Sequence, residues 1–253
     1  MSTQTLLQPA SLDSARFGIQ VERARHTATT AADVLLEQIS RSSADLIILR
    51  TDAGDSDVVT ALQQKGEFII HADTLVYHGM PLHHGAGSES DHVRRATAAD
   101  SSAIAAIASA SFQGYRSHYS ANPLLPQNLV HEGYVEWSQS RLDDANDQSA
   151  TWVVCDGAVV AGFATCDQRE GTIDIVLNAV DPDFERRGHY GRLLNHLVHH
   201  YSSLSMDRLI VSTQIWNYGV QRQWAKVGLR LYAAMDTYHL DRRLKASASS
   251  AAR

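Results

Sequence analysis

The sequence is poor in cysteine and has no long apolar run. Cys155 and Cys166 are the only cysteines in 253 residues, too few for a small secreted fold that depends on disulfides. We interpret them as buried free thiols in a reducing compartment and leave a disulfide between them open. No window approaches the roughly eighteen consecutive apolar residues of a membrane span, and the first residues lack a basic segment followed by an apolar one. These absences favour a cytoplasmic protein.

An excess of basic residues is also missing. The chain carries 22 Lys and Arg against 28 Asp and Glu, which gives a net charge of −6. Because both signs are interspersed, this charge argues against a general nucleic-acid binder and against a protein that binds anionic membranes. His196 and His200 are spaced to chelate a metal on one helical face, but no cysteine or carboxylate ligand stands beside them. We therefore predict a helix surface there and no metal.

What the sequence does contain is an alternation of helical and extended patterns, which predicts an α/β protein. Residues 1–82 predict a small N-terminal αβ domain. The glycines and serines of residues 83–92 predict a flexible linker. Residues 93–242 predict a second and larger domain, and residues 243–253 a disordered tail.

Individual elements follow from apolar periodicity and from turn residues. In the N-terminal domain the pattern predicts strands over 17–25, 45–50 and 67–82, with helices over 31–40 and 57–66. In the second domain it predicts the order β, α, α, β, β, β, α, β, α, β, in which the three consecutive strands form a meander over 151–180.

The second domain is organised around the stretch from Thr172 to Tyr201, which predicts a strand, a turn and a helix. The strand runs over 172–180 and Asp181-Pro182 ends it. The turn reads Glu-Arg-Arg-Gly-His-Tyr-Gly from Glu185. The first N–H groups of the following helix have no intrahelical partner, and glycines let an anionic group approach them. Together with the arginines, these groups predict a phosphate-binding turn.

This stretch resembles the acetyl-CoA-dependent N-acetyltransferases of the GNAT family, whose signature at this turn is Gln/Arg-x-x-Gly-x-Gly/Ala after a strand that ends in V-x-P. Val180-Asp181-Pro182 matches the strand end, whereas Tyr190 stands where the family has Gly or Ala. The resemblance implies a GNAT fold with a splayed mixed sheet and acetyl-CoA as cosubstrate. The residues that it implies for coenzyme binding here are Asn178, Ala179, Val180, Arg186, Arg187, Gly188, His189, Tyr190, Gly191 and Arg192.

A second family signature, Asn-x-x-Ala-x-x-Leu-Tyr-x-Lys-x-Gly-Phe, is similar to the segment from Asn217 to Leu229. The resemblance implies that Asn217 binds the coenzyme near its pantetheine arm, and the residue can also cap the helix. The family tyrosine, which commonly protonates the departing thiolate, is replaced by Trp224. An indole N–H cannot deliver a proton, so we expect Trp224 to line the acetyl pocket and Tyr218 to be a substitute acid.

The proton of the attacking amine requires a base. Asp174, on the central strand, and His118, in a tyrosine-rich segment, are the candidates. A solvated strand carboxylate and a structural histidine are the alternative interpretations. In the family the N–H that faces the developing oxyanion lies on the splayed strand, which implies the backbone of Asn178 to Val180 here.

The acceptor is predicted from a narrower resemblance. LDSARFGIQV, DTLVYHGMPL and STQIWNYGVQRQW are similar to segments of dTDP-fucosamine N-acetyltransferases, which implies a nucleotide-linked amino sugar as substrate. The residues that this implies for substrate binding are Arg116, His118, Tyr119 and Gln214. We expect a small-molecule amine as partner, no nucleic acid and no membrane, and leave a homodimer open. The alternatives are another small amine, a protein N-terminus, or an inactive acyl-CoA-binding regulatory module.

Overall fold

The computed structural model describes residues 5–142 and 148–244. Ten strands lie within these residues. They are β1 (Leu7–Pro9), β2 (Val21–His26), β3 (Leu46–Asp52), β4 (Ile69–Pro81), β5 (Val93–Arg95), β6 (Ser149–Asp156), β7 (Val159–Arg169), β8 (Thr172–Val180), β9 (Arg208–Gln214) and β10 (Arg230–Asp241). The seven α-helices of the described residues are α1 (Ser11–Phe17), α2 (Ala32–Arg41), α3 (Asp57–Gln64), α4 (Ser101–Phe112), α5 (Gln127–Gln139), α6 (His189–Ser203) and α7 (Tyr218–Val227).

The chain divides into two compact units. The first unit comprises Met1–Leu75, Arg116–Val130 and Ala233–Arg253, and the second comprises Val76–Tyr115 and His131–Tyr232. The predicted domain limits at 83–92 and 242 stay a prediction. Most of the predicted tail, residues 245–253, lies outside the described residues.

The first unit contains the strand order β1-β2-β3-β10. β2 pairs with β3 in parallel, and β10 pairs with β3 antiparallel. The apolar faces of α2 and α3 cover these strands with Leu35, Ile39 and Leu62, as their helical spacing predicts. The strand predicted over 17–25 is partly wrong, because Phe17 ends α1. Gly18 caps this helix in the left-handed conformation at φ 65°, where glycine carries no Cβ penalty.

The second unit contains the strand order β9-β8-β7-β6-β5. β5 to β8 are antiparallel neighbours, whereas β9 is parallel to β8. Helices cover both faces. One apolar cluster lies between the strands and α6 with α7, and another lies between the strands and α4. The order predicted for residues 93–242 is confirmed, and the fold is mixed α/β, as predicted.

A β-bulge interrupts β8. Thr165 lies opposite Leu177, but Cys166 lies opposite Ile175, so Val176 is an extra residue on β8. A bulge reverses which side chains face which side of a sheet. Ile175 accordingly belongs to the cluster beneath α6, whereas Leu177 belongs to the cluster beneath α4. Because of the bulge, Asn178 lines the same side of the sheet as α6.

One expectation outside the central stretch needs correction, and a second finding concerns the predicted linker. His196 is not on a helix surface, because its ring is buried against Trp152 and its Nδ1 accepts the Ser90 N–H at 3.2 Å. Part of the segment predicted as a flexible linker lies against α6. A Cβ on Gly87 would come within 2.5 Å of the Asn195 carbonyl oxygen, and the Ser88 N–H donates to that oxygen at 3.3 Å.

Both cysteines are free thiols, as predicted, but Cys166 alone of the two is buried, whereas Cys155 is half-buried. Within the part of the chain that the structure describes, no helix combines the length and apolar character needed to cross a membrane.

Candidate active site

A cleft of about 580 Å³ opens in the second unit where β8, the turn before α6 and the first part of α7 meet. Its volume is in the range of small-molecule sites. The residues that line it are Asn178, Ala179, Val180, Phe184, Glu185, Arg186, Gly188, His189, Tyr190, Gly191, Asn217, Gly219, Val220, Gln223 and Lys226. The cleft therefore brings together nine of the residues predicted to bind the coenzyme, from the strand, the turn and both helices.

Within residues 5–142 and 148–244, the strand side of the cleft offers backbone donors that have no strand partner. The ladder between β8 and β9 extends only from Thr172 to Ile175 on β8. The Asp181 N–H donates to the Ala161 carbonyl at 2.9 Å, which makes Val180 and Gly162 a non-hydrogen-bonded pair. Alternation then directs the N–H groups of Val180 and Asn178 away from β7. They point to the side where β9 no longer pairs with β8.

The turn side of the cleft has a backbone suited to an anion. Arg186 has φ 62° and Gly188 has φ 83°, so residues with a positive φ lie on both sides of Arg187 just before α6. Tight turns of this kind can direct successive N–H groups toward one point, an arrangement that binds anions. The N-cap residue of α6 is Gly188, which has no side chain, and within the described residues no side-chain cap bond is made there. The free N–H groups of the helix therefore remain available to a phosphate.

His189, the first residue of α6, adds a side-chain donor. Its ring is 3% exposed, and its Nδ1 lies 3.2 Å from a guanidinium nitrogen of Arg192. Arginine can only donate, so Nδ1 is the acceptor and Nε2 carries the proton. Among the described residues Nε2 has no hydrogen-bond partner, although it lies 3.7 Å from the Asp156 carboxylate. Burial, with Arg192 next, lowers the pKa of His189, so the ring is neutral at pH 7.

Arg187 and Arg192 support the turn instead of lining the cleft. The Arg187 guanidinium lies 3.6 Å from the Asp156 carboxylate and stacks over the Phe184 ring at 5.0 Å. Arg192 donates to His189 and, at 3.5 Å, to the Arg187 carbonyl. Of the three predicted arginines, the structure places Arg186 in the cleft wall.

On the α7 side, Asn217 holds the N-cap position but makes no side-chain cap bond. Its Nδ2 donates instead to the Thr213 hydroxyl at 3.1 Å. Trp224 is fully buried, so the structure places it in the core and not on the surface of an acetyl pocket. Its indole Nε1 donates to the Tyr190 hydroxyl at 2.7 Å.

Asp174, one predicted base, faces away from the cleft. It lies directly opposite Asp167, and opposed residues of an antiparallel pair share one face. The bulge at Val176 puts Asn178 on the other face. Burial, with the negative charge of Asp167 next, raises the pKa of Asp174 to about 6.

We expect Asp174→Asn to stabilise the protein at high pH. The raised pKa means that folding favours the protonated form of Asp174. The ionised carboxylate therefore lowers the stability of the protein as pH rises from about 4 to about 6, and the protein stays less stable above pH 6. The variant should raise the free energy of unfolding by about 2 kcal/mol at pH 8 and by little at pH 4. Urea unfolding at both pH values measures this difference.

Asp167→Asn supplies the matched control. Although burial opposes it, hydrogen bonds from Arg141 hold the pKa of Asp167 below its ordinary value. This substitution should therefore destabilise the protein at pH 8. A loss of stability on Asp174→Asn at pH 8, or a large fall in turnover, would contradict the placement of Asp174 outside the reaction site.

Three other predicted residues lie in the first unit. His118 is buried, and its Nδ1 is 2.9 Å from Nε2 of His239. Burial, with His239 next, lowers its pKa well below the ordinary value. The Tyr119 hydroxyl donates to Asp13 at 2.8 Å, and burial raises its pKa. Arg116 is exposed.

The remaining two predicted residues lie in the second unit. Tyr218 begins α7, is 62% exposed and does not line the cleft. Gln214 is buried at the end of β9, where its carbonyl oxygen accepts the Tyr115 hydroxyl.

Sequence reasoning missed three features of the cleft. Lys226 and Gln223 on α7 and Phe184 before the turn line it. Lys226 could have been found from the second signature, which has lysine at that place. The bulge also has a sequence signal, because Ile175-Val176-Leu177 breaks the alternation of apolar residues along β8.

Comparisons with known proteins agree with this geometry. Residues 115–229 match the family model described as Acetyltransferase (GNAT) family. No curated protein sequence matches the chain at a significant level.

Solved structures share the fold. A GCN5-related N-acetyltransferase from Sphaerobacter thermophilus aligns with 13% identity and a TM-score of 0.52 over 82% of this chain and 64% of its own. One from Kribbella flavida aligns with 10% identity and a TM-score of 0.56 over 87% and 80%. A GNAT acetyltransferase from Colwellia psychrerythraea aligns with 12% identity and a TM-score of 0.51 over 83% and 70%.

This chain thus spans less than two thirds of the Sphaerobacter protein, and identities this low establish the fold alone. The family match covers β8, α6 and α7, which carry most of the cleft. Residues 115–229 are therefore similar to the acetyltransferases of the GNAT family, which use acetyl-CoA as the acetyl donor.

Proposed function

We propose that this protein is an acetyl-CoA-dependent N-acetyltransferase that acetylates the amino group of a small molecule, namely a nucleotide-linked amino sugar. In this proposal the cleft of the second unit binds acetyl-CoA. The diphosphate lies at the start of α6, and the thioester lies beside Asn178 to Val180.

The observation that carries the proposal is the open edge of β8. The N–H groups of Asn178 and Val180 point to the side where the ladder with β9 has ended. A pair of backbone donors left without a strand partner, at the wall of a cleft, suits a carbonyl oxygen.

The turn supports the diphosphate assignment. The free N–H groups at the start of α6 adjoin the cleft, and the cations of Arg186 and Lys226 line it. A diphosphate presents acceptor oxygens and negative charge to these donors. The residues present thus fit the diphosphate end of the coenzyme.

Acetyl-CoA supplies an activated acyl group, which a neutral amine can attack directly. The chain's contribution is to hold the donor and the acceptor together and to direct backbone N–H groups at the acyl oxygen, where negative charge develops. A thiol with a pKa of about 8.5 leaves readily as an anion, so a strong general acid is not required. Asp174 faces away from the cleft, so the base role predicted for it is not part of this proposal. The base role of His118 and the acid role of Tyr218 stay predictions, and neither residue lines the cleft.

The amino-sugar part of the proposal depends on the three segments that resemble nucleotide-sugar N-acetyltransferases. One of them, residues 212–224, contains Asn217, Val220 and Gln223, which line the cleft. The predicted sugar contacts of Arg116, His118, Tyr119 and Gln214 stay predictions.

An acetyl-CoA consumption assay tests the proposal. The panel should contain dTDP-linked amino sugars, the same sugars already N-acetylated, simple amines and a peptide with a free N-terminus. We expect thiol release only with the free amino sugars. Thiol release only with the peptide, or only with simple amines, would show that the acceptor is that compound and not an amino sugar. Coenzyme binding without turnover on any amine would favour a regulatory module.

We expect Arg186→Gly to have opposite effects on binding and on stability. Loss of the guanidinium should weaken acetyl-CoA binding about tenfold. Glycine relieves a left-handed backbone that costs other residues about 1 kcal/mol, so the free energy of unfolding should rise by about that amount. Calorimetric titration and urea unfolding measure the two effects.

Ser205→Gly is the control for this variant. Ser205 also has a positive φ, 57°, beyond the end of α6 and outside the cleft. It should give the same gain in stability and no change in affinity. Unchanged acetyl-CoA affinity in Arg186→Gly would mean that the turn does not hold the diphosphate.

A further inference from the structure

Two residues of the second unit that differ from the family signatures contact each other. Tyr190 replaces a small residue at the start of α6, and Trp224 replaces a tyrosine on α7. The Trp224 Nε1 and the Tyr190 hydroxyl are 2.7 Å apart. The same hydroxyl lies 2.8 Å from Oδ1 of Asn178, which lines the cleft. The two substitutions therefore form one hydrogen-bonded chain that ends at the cleft wall.

The chemistry of the three groups fixes the direction of this chain. An indole N–H can only donate, so the Tyr190 oxygen is its acceptor. The single O–H of Tyr190 then needs an acceptor of its own, because a phenol proton without a partner in a packed site is costly. Asn178 can provide that acceptor only through Oδ1. Its amide nitrogen must therefore point away from Tyr190.

A tyrosine at position 224 would not impose this direction. A hydroxyl can donate or accept, so the amide of Asn178 could then adopt either orientation. Trp224 removes that freedom and is held firmly, since it is fully buried and packs against the His78 ring at 5.2 Å. Burial also raises the pKa of Tyr190, so its proton stays in place at neutral pH.

The amide nitrogen of Asn178 remains available to a ligand. Among the described residues, Tyr190 is the one hydrogen-bond partner of the Asn178 side chain. Asn178 is half-buried in the cleft wall, on the strand that also presents the open N–H groups. A donor placed there adds to the backbone donors that face an acyl oxygen.

We propose that Trp224 and Tyr190 are positioning residues that direct the side-chain amide of Asn178 at the acyl carbonyl of acetyl-CoA, and that this contact lets the cleft distinguish acetyl-CoA from free CoA. This inference depends on the proposed placement of the thioester beside β8. In this inference the acyl oxygen receives a hydrogen bond from the Asn178 side chain in addition to those from the backbone. Trp224 sets the orientation of that side chain through Tyr190.

The test compares the affinities of the full-length protein for acetyl-CoA and for CoA by calorimetric titration, without any amine. The wild type should prefer acetyl-CoA. Asn178→Ala removes the proposed donor, and it should lower the ratio of the two affinities about tenfold, the worth of one hydrogen bond. Tyr190→Phe keeps the ring and removes the hydroxyl that orients the amide, so it should lower the ratio in the same direction but by less, and the double variant should lower it no further than Asn178→Ala alone.

Tyr201→Phe is the matched control. The Tyr201 hydroxyl also accepts an indole N–H, from Trp152 at 3.2 Å, but it lies outside the cleft. This variant should lose stability as Tyr190→Phe does and keep the affinity ratio. If Tyr190→Phe fails to fold, Trp224→Phe takes its place. Without the indole N–H the Asn178 amide can adopt either orientation, so this variant should also lower the ratio.

The outcomes separate this inference from the proposed function. Failure of the wild type to bind either ligand would reject both. Binding of both ligands with no preference for acetyl-CoA, or a ratio that Tyr190→Phe leaves unchanged, would reject the positioning role alone.

Discussion

Val180→Pro should lower kcat for acetyl transfer by about 10²- to 10³-fold, the usual cost of losing one donor to a developing oxyanion. Proline has no N–H, and the N–H of Val180 has no strand partner on the side where β9 diverges. Proline is tolerated at strand positions whose N–H is not part of a ladder. The fold should therefore persist, and acetyl-CoA affinity should change much less than turnover. Steady-state kinetics with the amine that the consumption assay identifies, together with a thermal unfolding curve, measure the effect.

The neighbouring residue supplies the contrast. Ala179 lies opposite Phe163, and by alternation its N–H belongs to the ladder with β7. Ala179→Pro should cost about 3 kcal/mol of stability, because it removes a ladder hydrogen bond from a central strand. If Val180→Pro kept wild-type turnover, or if both proline variants destabilised the protein equally, the backbone of Val180 would not be the oxyanion donor.

Gly191→Leu should weaken acetyl-CoA binding by at least about 100-fold while making the protein more stable. Gly191 lies in the first turn of α6 and lines the cleft, and a Cβ there would meet no atom within 4 Å. The open space at this helix position is the space in which we place the coenzyme. A leucine side chain would occupy it, and replacing a helical glycine should add up to about 1 kcal/mol of stability.

Gly191→Ala separates the two effects. Alanine gives a similar gain in helix stability but adds only one methyl group, so affinity should fall far less than with leucine. Calorimetric titration of acetyl-CoA and urea unfolding of both variants provide the comparison. A leucine variant that binds as tightly as the wild type would place the coenzyme elsewhere.

Much of the fold was predictable because the periodicity of apolar residues depends only on residues that are close in the sequence. The order of elements over residues 93–242 follows from alternating patterns and from turns such as Asp156-Gly157. Helix α1 was missed because its seven residues carry little periodicity, although Gly18 marks its end. The burial of His196 depends on Trp152, which lies more than forty residues away in the sequence, so no local pattern could indicate it.

The site was predictable where a backbone motif defines it. The strand end, Gly188 and the start of α6 lie next to one another in the sequence, and they also adjoin one cleft. Roles that depend on the direction of a side chain were not predictable. The bulge at Val176 reverses the faces of β8, so Asp174 and Asn178 point to opposite sides although their spacing suggests one. The bond between Tyr190 and Trp224 joins two helices that are distant in the sequence.

A crystal structure of the protein with bound acetyl-CoA tests the central claim most directly. The account predicts a diphosphate against residues 186–191 and a thioester oxygen within about 3 Å of the backbone nitrogen of Val180 or Asn178. The described residues also form another pocket, which is lined in part by Trp152, His200 and Tyr201. A coenzyme bound there, or anywhere else outside the cleft, would contradict the account.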